Sequence, residues 1–117
     1  MFDCTPIIVV DGDTIRCGQE RVRLMGIDAP ELGGHCRPGR VCTPGDGEAS
    51  RRDLRQIVAS SRVRCHRAGF DRYGRTLAHC YIRRAGRVKI NIGCEMVQID
   101  AAVLRYGGLA CQPIPRR

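Results

Sequence analysis

Short stretches of apolar and alternating residues, separated by turn signals, occupy the first quarter of the chain and predict strands. The first run covers 5–10 and is followed by the turn sequence Asp11-Gly12. A second run covers 14–17, and a third, 21–27, alternates apolar residues with arginines, so that one face is buried and the other basic. Three short strands joined by tight turns predict a β-meander.

One longer stretch has helical periodicity. Apolar residues recur at helical spacing between 49 and 58, with arginines on the opposite face. Thr43 followed by Asp46, with Pro44 between them, resembles a capping box and predicts that the helix begins directly after Thr43. Glycine and proline pairs break regular structure over 32–47, which we expect to be a loop.

Two further strands and a second, short helix complete the pattern. The strands are expected at 62–66 and 76–83, with a loop at 68–75, and Asn91 is a candidate cap for the helix. The apolar face of this helix would contain Ile92, Met96 and Ile99. No repeat or linker is visible, so 1–117 is expected to form one α+β domain. Its five strands would build a small Greek-key barrel with one main helix, a shape that often binds nucleic acid.

Composition and charge exclude several classes of protein. The chain has 117 residues, of which 43% are hydrophobic and 27% charged, as in ordinary globular domains. Its longest apolar runs have four residues, as at 7–10, so no membrane association is expected. The net charge is +8, and all but one of the 20 basic residues are arginine. An arginine-rich basic surface favours polyanions, because a guanidinium donates two parallel hydrogen bonds to a phosphate.

The eight cysteines indicate disulfide bonds rather than thiolate metal sites. No C-x2-C spacing occurs, although zinc sites commonly use one. Disulfides persist in oxidising compartments, so we expect a secreted or periplasmic protein. Residues 1–4 lack the basic and apolar regions of a signal peptide, and we therefore expect a mature form whose export signal is missing.

The predicted elements suggest how the cysteines pair. Four pairs are expected: Cys36–Cys42 within the loop, Cys65–Cys80 between the fourth and fifth strands, Cys4–Cys17 across the first hairpin, and Cys94–Cys111 as the remainder. The first two follow from local geometry, whereas the sequence leaves the last two open.

Carboxylates and arginines are concentrated in three segments, at 11–14, 23–31 and 71–75. Asp13 opens the second strand and Asp28 follows the third, so antiparallel pairing can bring them to one sheet edge. Clustered carboxylates repel each other unless a cation lies between them. Oxygen ligands without nearby His or Cys select Ca2+, Mg2+ or Mn2+ over zinc. Each segment alone is typical of a simple turn, and only the combination indicates a metal site.

In this order and on this strand pattern, the segments resemble the thermonuclease (staphylococcal nuclease-like) family. The resemblance extends over roughly 5–106. The matching motifs are Val10-Asp11-Gly12-Asp13-Thr14-Ile15, Val22-Arg23-Leu24-Met25-Gly26-Ile27-Asp28-Ala29-Pro30-Glu31 and Asp71-Arg72-Tyr73-Gly74-Arg75-Thr76-Leu77-Ala78. The resemblance implies a five-stranded OB barrel with helices. It also implies Ca2+-dependent cleavage of DNA and RNA phosphodiester bonds, leaving a 3′-phosphate and a 5′-hydroxyl.

The resemblance further implies a metal site and a base. Asp13 and Asp28 would bind Ca2+ through their carboxylates, with Mg2+ or Mn2+ as other candidate ions. Ala29 would contribute its main-chain carbonyl, and Pro30 favours the extended Ala29 that this requires. Glu31 matches the glutamate that is usually assigned to activating the attacking water.

On the substrate side, the resemblance assigns Arg23 and Arg75 to the scissile phosphate. A metal and two guanidinium groups would stabilise the charge that builds up on the phosphate in the transition state. Tyr73 and its neighbour Arg72 lie in the third motif and are expected to contact the substrate. Aromatic stacking tolerates any base, which suits a nuclease without sequence preference.

The role of Tyr106 depends on which segment forms the second helix. If Met96-Val97 matches the family helix, Tyr106 lies near the nucleotide; if a helix covers 100–106, with Asp100 as its cap, Tyr106 is structural. We favour the first register. The chain ends soon after Tyr106, so the family's last helix is expected to be shortened or absent, which would lower stability or loosen the substrate groove.

The sequence therefore predicts an exported, metal-dependent nuclease that acts on DNA and RNA as a monomer, without an obligate protein partner. The alternative is a non-catalytic OB module that binds nucleic acid. A third possibility is a disulfide-rich, basic binding or inhibitory protein. The acids and arginines of the three motifs favour the enzyme, because a purely basic binder gains nothing from burying carboxylates among its arginines.

Overall fold

The computed structural model describes residues 1–34, 39, 41–84 and 88–111. Along this part of the chain nine strands, two α-helices and one 3-10 turn follow one another. They are β1 Phe2–Asp3, β2 Ile7–Val9, β3 Thr14–Cys17, β4 Glu20–Leu24, β5 Ile27–Asp28, the 3-10 turn Leu32–Gly34, α1 Gly47–Val58, β6 Arg64–Phe70, β7 Thr76–Arg84, β8 Val88–Asn91, α2 Ile92–Gln98 and β9 Val103–Leu104.

Seven strands form one curled sheet, a half-barrel in which six follow the order β1-β6-β7-β4-β3-β2 and the seventh, β8, pairs with β7. The antiparallel β2–β3–β4 meander is the one predicted, with Ile15 opposite both Val9 and Val22. The long strand β7 pairs in parallel with β4 through its first residues and with β8 through its last. The other two strands, β5 and β9, form a separate antiparallel pair. The predicted mixed α+β, OB-like fold is confirmed, with nine strands in place of five.

The strand boundaries differ from the prediction in two places. The third predicted strand is broken into β4 and β5 at Met25-Gly26, where Gly26 has a φ of 80°, a conformation that favours glycine. The fourth continues to Phe70, past a bulge between Arg67 and Gly69. The loop between the two long strands is therefore only 71–75.

The main helix begins later than predicted. Asp46 is its N-cap, because its carboxylate accepts hydrogen bonds from the N–H groups of Glu48 and Ala49, at 3.0 and 3.2 Å. The Thr43 hydroxyl donates instead to Asp28, at 2.8 Å. The predicted apolar stripe does face the core, where α1 buries Leu54, Ile57 and Val58.

The second helix starts where the sequence predicts. The Asn91 side chain accepts a hydrogen bond from the N–H of Cys94, at 3.1 Å. Ile92 and Met96 are fully buried, whereas Ile99, predicted on the same face, is 44% exposed because the helix ends before it. Residues 100–106 are not helical, so the alternative register is wrong.

Disulfide bonds link cysteines that lie 13 to 17 positions apart in the described part of the sequence. The described bridges, which are three of the expected pairs, are Cys4–Cys17, Cys65–Cys80 and Cys94–Cys111. Cys65 and Cys80 are direct cross-strand neighbours on β6 and β7. Cys42 is disulfide-bonded, while its expected partner Cys36 lies outside the described residues.

The core lies between the concave face of the sheet and the two helices. Its largest fully buried apolar side chains are Ile15, Val22, Leu24, Ile27, Leu54, Ile82, Ile92 and Met96. None of the described helices combines the length and apolar character that a bilayer crossing requires.

Candidate active site

A cleft of about 680 Å³ opens where the first hairpins meet the loop 71–75. Every predicted site residue except Asp28 lines it: Asp13, Arg23, Ala29, Glu31, Arg72, Tyr73, Arg75 and Tyr106. Asp28 lies just behind the surface and is 1% exposed. The three motifs, far apart in the sequence, therefore converge on one concave surface.

Asp13 is held by the turn that opens β3. Its Oδ1 accepts a hydrogen bond from the Thr14 hydroxyl at 3.0 Å, and its Oδ2 accepts one from the N–H of Ala29 at 2.9 Å. The Asp11 carboxylate accepts a hydrogen bond from the N–H of Asp13, at 3.0 Å. Burial raises the pKa of Asp13 to about 6; the charge of Arg23 opposes this shift, and the negative charge of Asp11 adds to it.

Arg23, on β4, links the two carboxylates. Its Nη1 lies 3.4 Å from Oδ2 of Asp13, and its Nη2 donates a hydrogen bond to Oδ1 of Asp28 at 3.2 Å. Nη1 also donates to the carbonyl of Ile27, at 2.9 Å. The guanidinium lies 5.9 Å from the ring centroid of Tyr106. These contacts fix a buried cation at the base of the cleft.

Asp28 is held from behind by two residues that the sequence analysis missed. The Thr43 hydroxyl donates to Oδ2 of Asp28 at 2.8 Å, and Nη1 of Arg105 lies 3.6 Å from the same oxygen. Nη1 of Arg105 also donates to the carbonyl of Val41, at 3.0 Å. Arg105 comes into range because β5 and β9 pair, with Asp28 opposite Val103. No local motif signals the Arg105 contact, since it depends on the register of two-residue strands.

Glu31 is positioned by the start of α1. A Cβ added to Gly47 would collide with the carbonyl oxygen of Glu31 and lie 2.6 Å from its carbonyl carbon. Just before this point Gly45, with a φ of 129°, leaves room for Pro30, whose Cγ would lie 2.9 Å from an added Cβ. These two close approaches set the backbone from which Glu31 reaches the cleft.

Arg75 is oriented by Asp71 across the loop. Its Nε donates to Oδ2 of Asp71 at 2.7 Å, and the N–H groups of Tyr73 and Arg75 donate to Oδ1, both at 2.9 Å. Burial would raise the pKa of Asp71, but the hydrogen bonds from Arg75 and Tyr73 together hold it below the usual value. Asp71 is therefore ionised at neutral pH and fixes the guanidinium of Arg75.

Two exposed tyrosines line the cleft. Tyr73 is 63% exposed, and the guanidinium groups of Arg72 and Arg75 lie 5.7 and 5.5 Å from its ring centroid. Tyr106 is 68% exposed and follows β9 in a non-helical segment, with a φ of 71°. Both rings offer apolar surface to a planar ligand group, and cations lie beside both.

The donor set fits a hard divalent cation. Asp13 and Asp28 share the guanidinium of Arg23, and Arg105 lies beside Asp28 alone. The raised pKa of Asp13 reflects a buried negative charge that Arg23 compensates only partly. Carboxylate and carbonyl oxygens are the ligands that Ca2+, Mg2+ and Mn2+ prefer. Among the described residues that line the cleft there is neither His nor Cys, which disfavours zinc.

The structure is a curled OB-like half-barrel with acids and guanidinium groups in one cleft, and comparison with known proteins gives the family. The model of the staphylococcal nuclease homologue family matches residues 21–109. The chain therefore belongs to this family. The match includes Arg23, Asp28, Glu31 and Arg75.

Three relatives illustrate the range of similar proteins. The chain is 42% identical over 74 residues to the succinoglycan biosynthesis protein ExoI of Rhizobium meliloti, covering 62% of this chain and 39% of that protein. It is 37% identical over 100 residues to an uncharacterized endonuclease of Haemophilus influenzae, covering 81% and 48%. It is 40% identical over 80 residues to the thermonuclease of Staphylococcus intermedius, covering 63% and 45%. In each case the similarity spans less than half the length of the relative.

Proposed function

We propose that this protein is a metal-dependent nuclease that hydrolyses phosphodiester bonds of DNA and RNA to 3′-phosphate and 5′-hydroxyl products. The observation that carries the proposal is the convergence of Arg23, Glu31 and Arg75 on a cleft backed by the carboxylates of Asp13 and Asp28. Family membership supports it, and so do relatives named endonuclease and thermonuclease.

In this mechanism Arg23 and Arg75 bind the scissile phosphate, and Glu31 acts as the general base. Arg23 and Arg75 are each fixed by carboxylates, so little reorganisation is needed as charge develops on the non-bridging oxygens. Glu31 accepts a proton from the attacking water. A Ca2+ ion held by Asp13, Asp28 and the Ala29 carbonyl, or Mg2+ or Mn2+ in its place, would supply further positive charge to the phosphate.

The same structure supports proposals for the substrate contacts and for the location. Tyr73 and Tyr106 would stack on the bases next to the scissile bond, and Arg72 would bind a neighbouring phosphate. Such contacts read neither base sequence nor sugar, so both DNA and RNA are accepted as substrates. The three described disulfide bonds support a secreted or periplasmic protein. We further propose that it acts as a monomer.

The test is cleavage of single-stranded DNA, double-stranded DNA and RNA by the oxidised protein, with Ca2+, Mg2+, Mn2+ or EDTA. Cleavage is expected with metal and not in EDTA. The variants Glu31→Gln and Arg75→Ala should each lose roughly 10²- to 10³-fold in kcat. The matched control Glu48→Gln alters an exposed glutamate of α1 that pairs with Arg51, and should leave kcat unchanged.

The chemical ends of the products, and any binding without cleavage, distinguish the nuclease from the non-catalytic OB module. End-labelled substrate should give fragments with a 5′-hydroxyl. Binding of nucleic acid without cleavage under every metal would reject the enzyme and support the non-catalytic OB module.

A further inference from the structure

The outer face of β7 continues from the cleft. Inward-facing residues of this strand are almost fully buried: Ala78, Cys80 and Ile82 are 0 to 2% exposed. Side chains alternate along a strand, so the residues between and beyond them face outwards. These are Leu77, His79, Tyr81 and Arg83, and Leu77 lines the cleft. From Leu77 to Arg83 this row spans about 20 Å, in steps of roughly 7 Å.

Cross-strand neighbours widen the row. On β6, His66 lies opposite His79 and Arg64 lies opposite Tyr81; on β8, Lys89 lies opposite Arg83. The ammonium group of Lys89 lies 4.1 Å from the ring centroid of Tyr81. We call the outward residues of β7 and these three partners the outer row. It begins at the cleft and carries rings in its middle and cations at its far end.

The charges of the outer row suit a polyanion. Arg64 contacts the carboxylate of Asp3, at 3.4 Å, so its charge is partly neutralised within the protein. Arg83 and Lys89 are both exposed at the far end of the sheet. A phosphate backbone that leaves the cleft along β7 would meet these two cations last.

The rings of the outer row suit unpaired bases. Burial lowers the pKa of His79, and electrostatic repulsion from His66 adds to this effect. His79 is therefore a neutral planar ring at pH 7. Tyr81 adds a larger ring two residues further along. Rings and cations that share one surface are the pattern by which proteins bind single strands, since aromatic groups stack on bases and cations contact phosphates. The bases of a duplex are stacked on each other and do not expose their faces in this way.

We propose that the outer row is an extended binding site for the single-stranded part of a nucleic acid chain beyond the scissile nucleotide. This inference rests on the proposed function, because the cleft at its start is taken to hold the reacting phosphate. Oligonucleotides long enough to reach Arg83 and Lys89 therefore bind more tightly than a dinucleotide that fills only the cleft.

The experiment measures binding in EDTA, where the substrate is not consumed. Fluorescence anisotropy compares a dinucleotide with a single strand of about ten nucleotides, a length within the usual site size of an OB fold. The charge variant is Arg83→Ala/Lys89→Ala. Its matched control, Arg52→Ala/Arg55→Ala, removes two exposed arginines of α1 and changes the net charge by the same amount.

The charge variant should bind the longer strand several-fold more weakly, and its salt dependence should fall by about 1.4 in slope, at roughly 0.7 per lost phosphate contact. Tyr81→Ser should weaken binding of the longer strand roughly tenfold, whereas Tyr81→Phe should keep wild-type affinity. Dinucleotide binding should be unchanged in all variants. A strand without bases should bind the wild type more weakly than the normal strand binds Tyr81→Ser, because it also loses the proposed stacking on Tyr73 and Tyr106.

Several results would overturn the proposal. Equal losses in the charge variant and the α1 control would show diffuse attraction rather than a site. An unchanged affinity of Tyr81→Ser, or equal binding of strands with and without bases, would show that the face takes any polyanion. Cleavage of a dinucleotide with metal tests the proposed function separately: a wild type that cuts nothing rejects the nuclease, while the binding results still decide the outer row.

Discussion

The carboxylate of Asp71 orients the guanidinium of Arg75, which is proposed to bind the scissile phosphate. Asp71 contacts Arg75 through one oxygen and ties down the backbone of the loop through the other. Replacing Asp71 with Asn keeps the shape but removes the charge and places an amide where an acceptor is needed. We expect Asp71→Asn to lower kcat about tenfold through misplaced Arg75, and Arg75→Lys to cost more, because an ammonium cannot reproduce the fork of a guanidinium.

Steady-state kinetics on one oligonucleotide checks this prediction. Asp53→Asn, on α1 and outside the cleft lining, is the matched control and should match the wild type. A wild-type kcat for Asp71→Asn would mean that the hydrogen bonds of the loop, rather than the carboxylate charge, position Arg75.

Thr43 acts on the site through a single side-chain hydrogen bond. Its hydroxyl donates to Oδ2 of Asp28 inside a buried site. Thr43→Val keeps the volume and removes the donor, so we expect a loss of about 1.5–3 kcal/mol in the free energy of unfolding, as is usual for hydrogen bonds to charged groups. Affinity for Ca2+, measured by calorimetry, should fall several-fold because Asp28 loses one of its supports.

Urea unfolding in EDTA separates the two effects of Thr43→Val. The exposed threonine Thr5 provides a control, Thr5→Val, which should change neither quantity. Unaltered Ca2+ affinity in a destabilised Thr43→Val protein would mean that Thr43 only stabilises the fold.

The sequence motifs identify the residues of the cleft, but not all of the residues that hold them in position. Asp13, Glu31 and Arg75 lie in local motifs, and the structure brings them together in one cleft. Arg105 lies in no motif, and it reaches Asp28 only through long-range strand pairing. Thr43 was misread as a helix cap because both it and Asp46 suit that position; the hydroxyl of Thr43 is used by Asp28, and Asp46 caps the helix.

At the scale of elements, the start of α1 and the position of Glu31 depend on each other. Alanine favours helices over glycine by about 1 kcal/mol, so Gly47→Ala would stabilise an isolated helix. In the folded protein the new Cβ meets the Glu31 carbonyl group, and either α1 or Glu31 must shift. We expect a lower kcat with dinucleotide binding in EDTA retained. Gln56→Ala, at an exposed position of the same helix, is the control; equal activity of both variants would show that the contact relaxes without moving the Glu31 carboxylate.

Glu20, the first residue of β4, connects β4 to β6 and β7. Its carboxylate accepts hydrogen bonds from Arg67 on β6, at 2.6 and 2.9 Å, and from the Thr76 hydroxyl on β7, at 2.8 Å. The hydrogen bonds from Arg67 lower the pKa of Glu20 below its usual value of 4.5; burial opposes this, and Thr76 adds to it. The stabilisation is therefore fully present above pH 4.5 and is lost as the pH falls through the lowered value.

Replacing Glu20 tests this pH dependence. Glu20→Gln should unfold at lower urea than the wild type at pH 7, and the difference between the two midpoints should shrink progressively below about pH 4.5. Glu48→Gln, which loses only an exposed pair with Arg51, should follow the wild-type curve at every pH. A constant difference between Glu20→Gln and the wild type down to pH 2 would contradict the assignment.

Long elements were predictable and very short ones were not. The β2–β3–β4 meander, α1 and β7 each carry several residues of regular periodicity. The two-residue strands β1, β5 and β9 have no period to detect, and they form because a distant partner supplies their hydrogen bonds. The bulge in β6 shifts the register beside Gly69, which explains why that strand continues beyond the predicted end.

For the molecule as a whole, the segment 105–111 closes one side of the cleft without helical structure. It packs against the end of β4: a Cβ on Gly26 would collide with Leu109, and one on Gly108 would collide with Met25. The Cys94–Cys111 bridge fastens this segment to α2. This crosslink restrains the segment that carries Tyr106 and so limits movement on this side of the cleft.

Two disulfide variants separate the stability of the fold from the shape of the cleft. Each bridge closes a loop of similar length, 17 residues for Cys94–Cys111 and 15 for Cys65–Cys80, so the loss of either should cost about 3 kcal/mol in the free energy of unfolding. Cys94→Ser/Cys111→Ser frees the segment with Tyr106, and we expect KM to rise several-fold with little change in kcat. Cys65→Ala/Cys80→Ala acts within the sheet and should leave KM unchanged while the protein stays folded. A wild-type KM in both variants would show that packing of Leu109 and Gly108 against Gly26 and Met25 is enough to hold the segment. A rise in KM for both would mean that the cleft follows the stability of the whole barrel rather than this one crosslink.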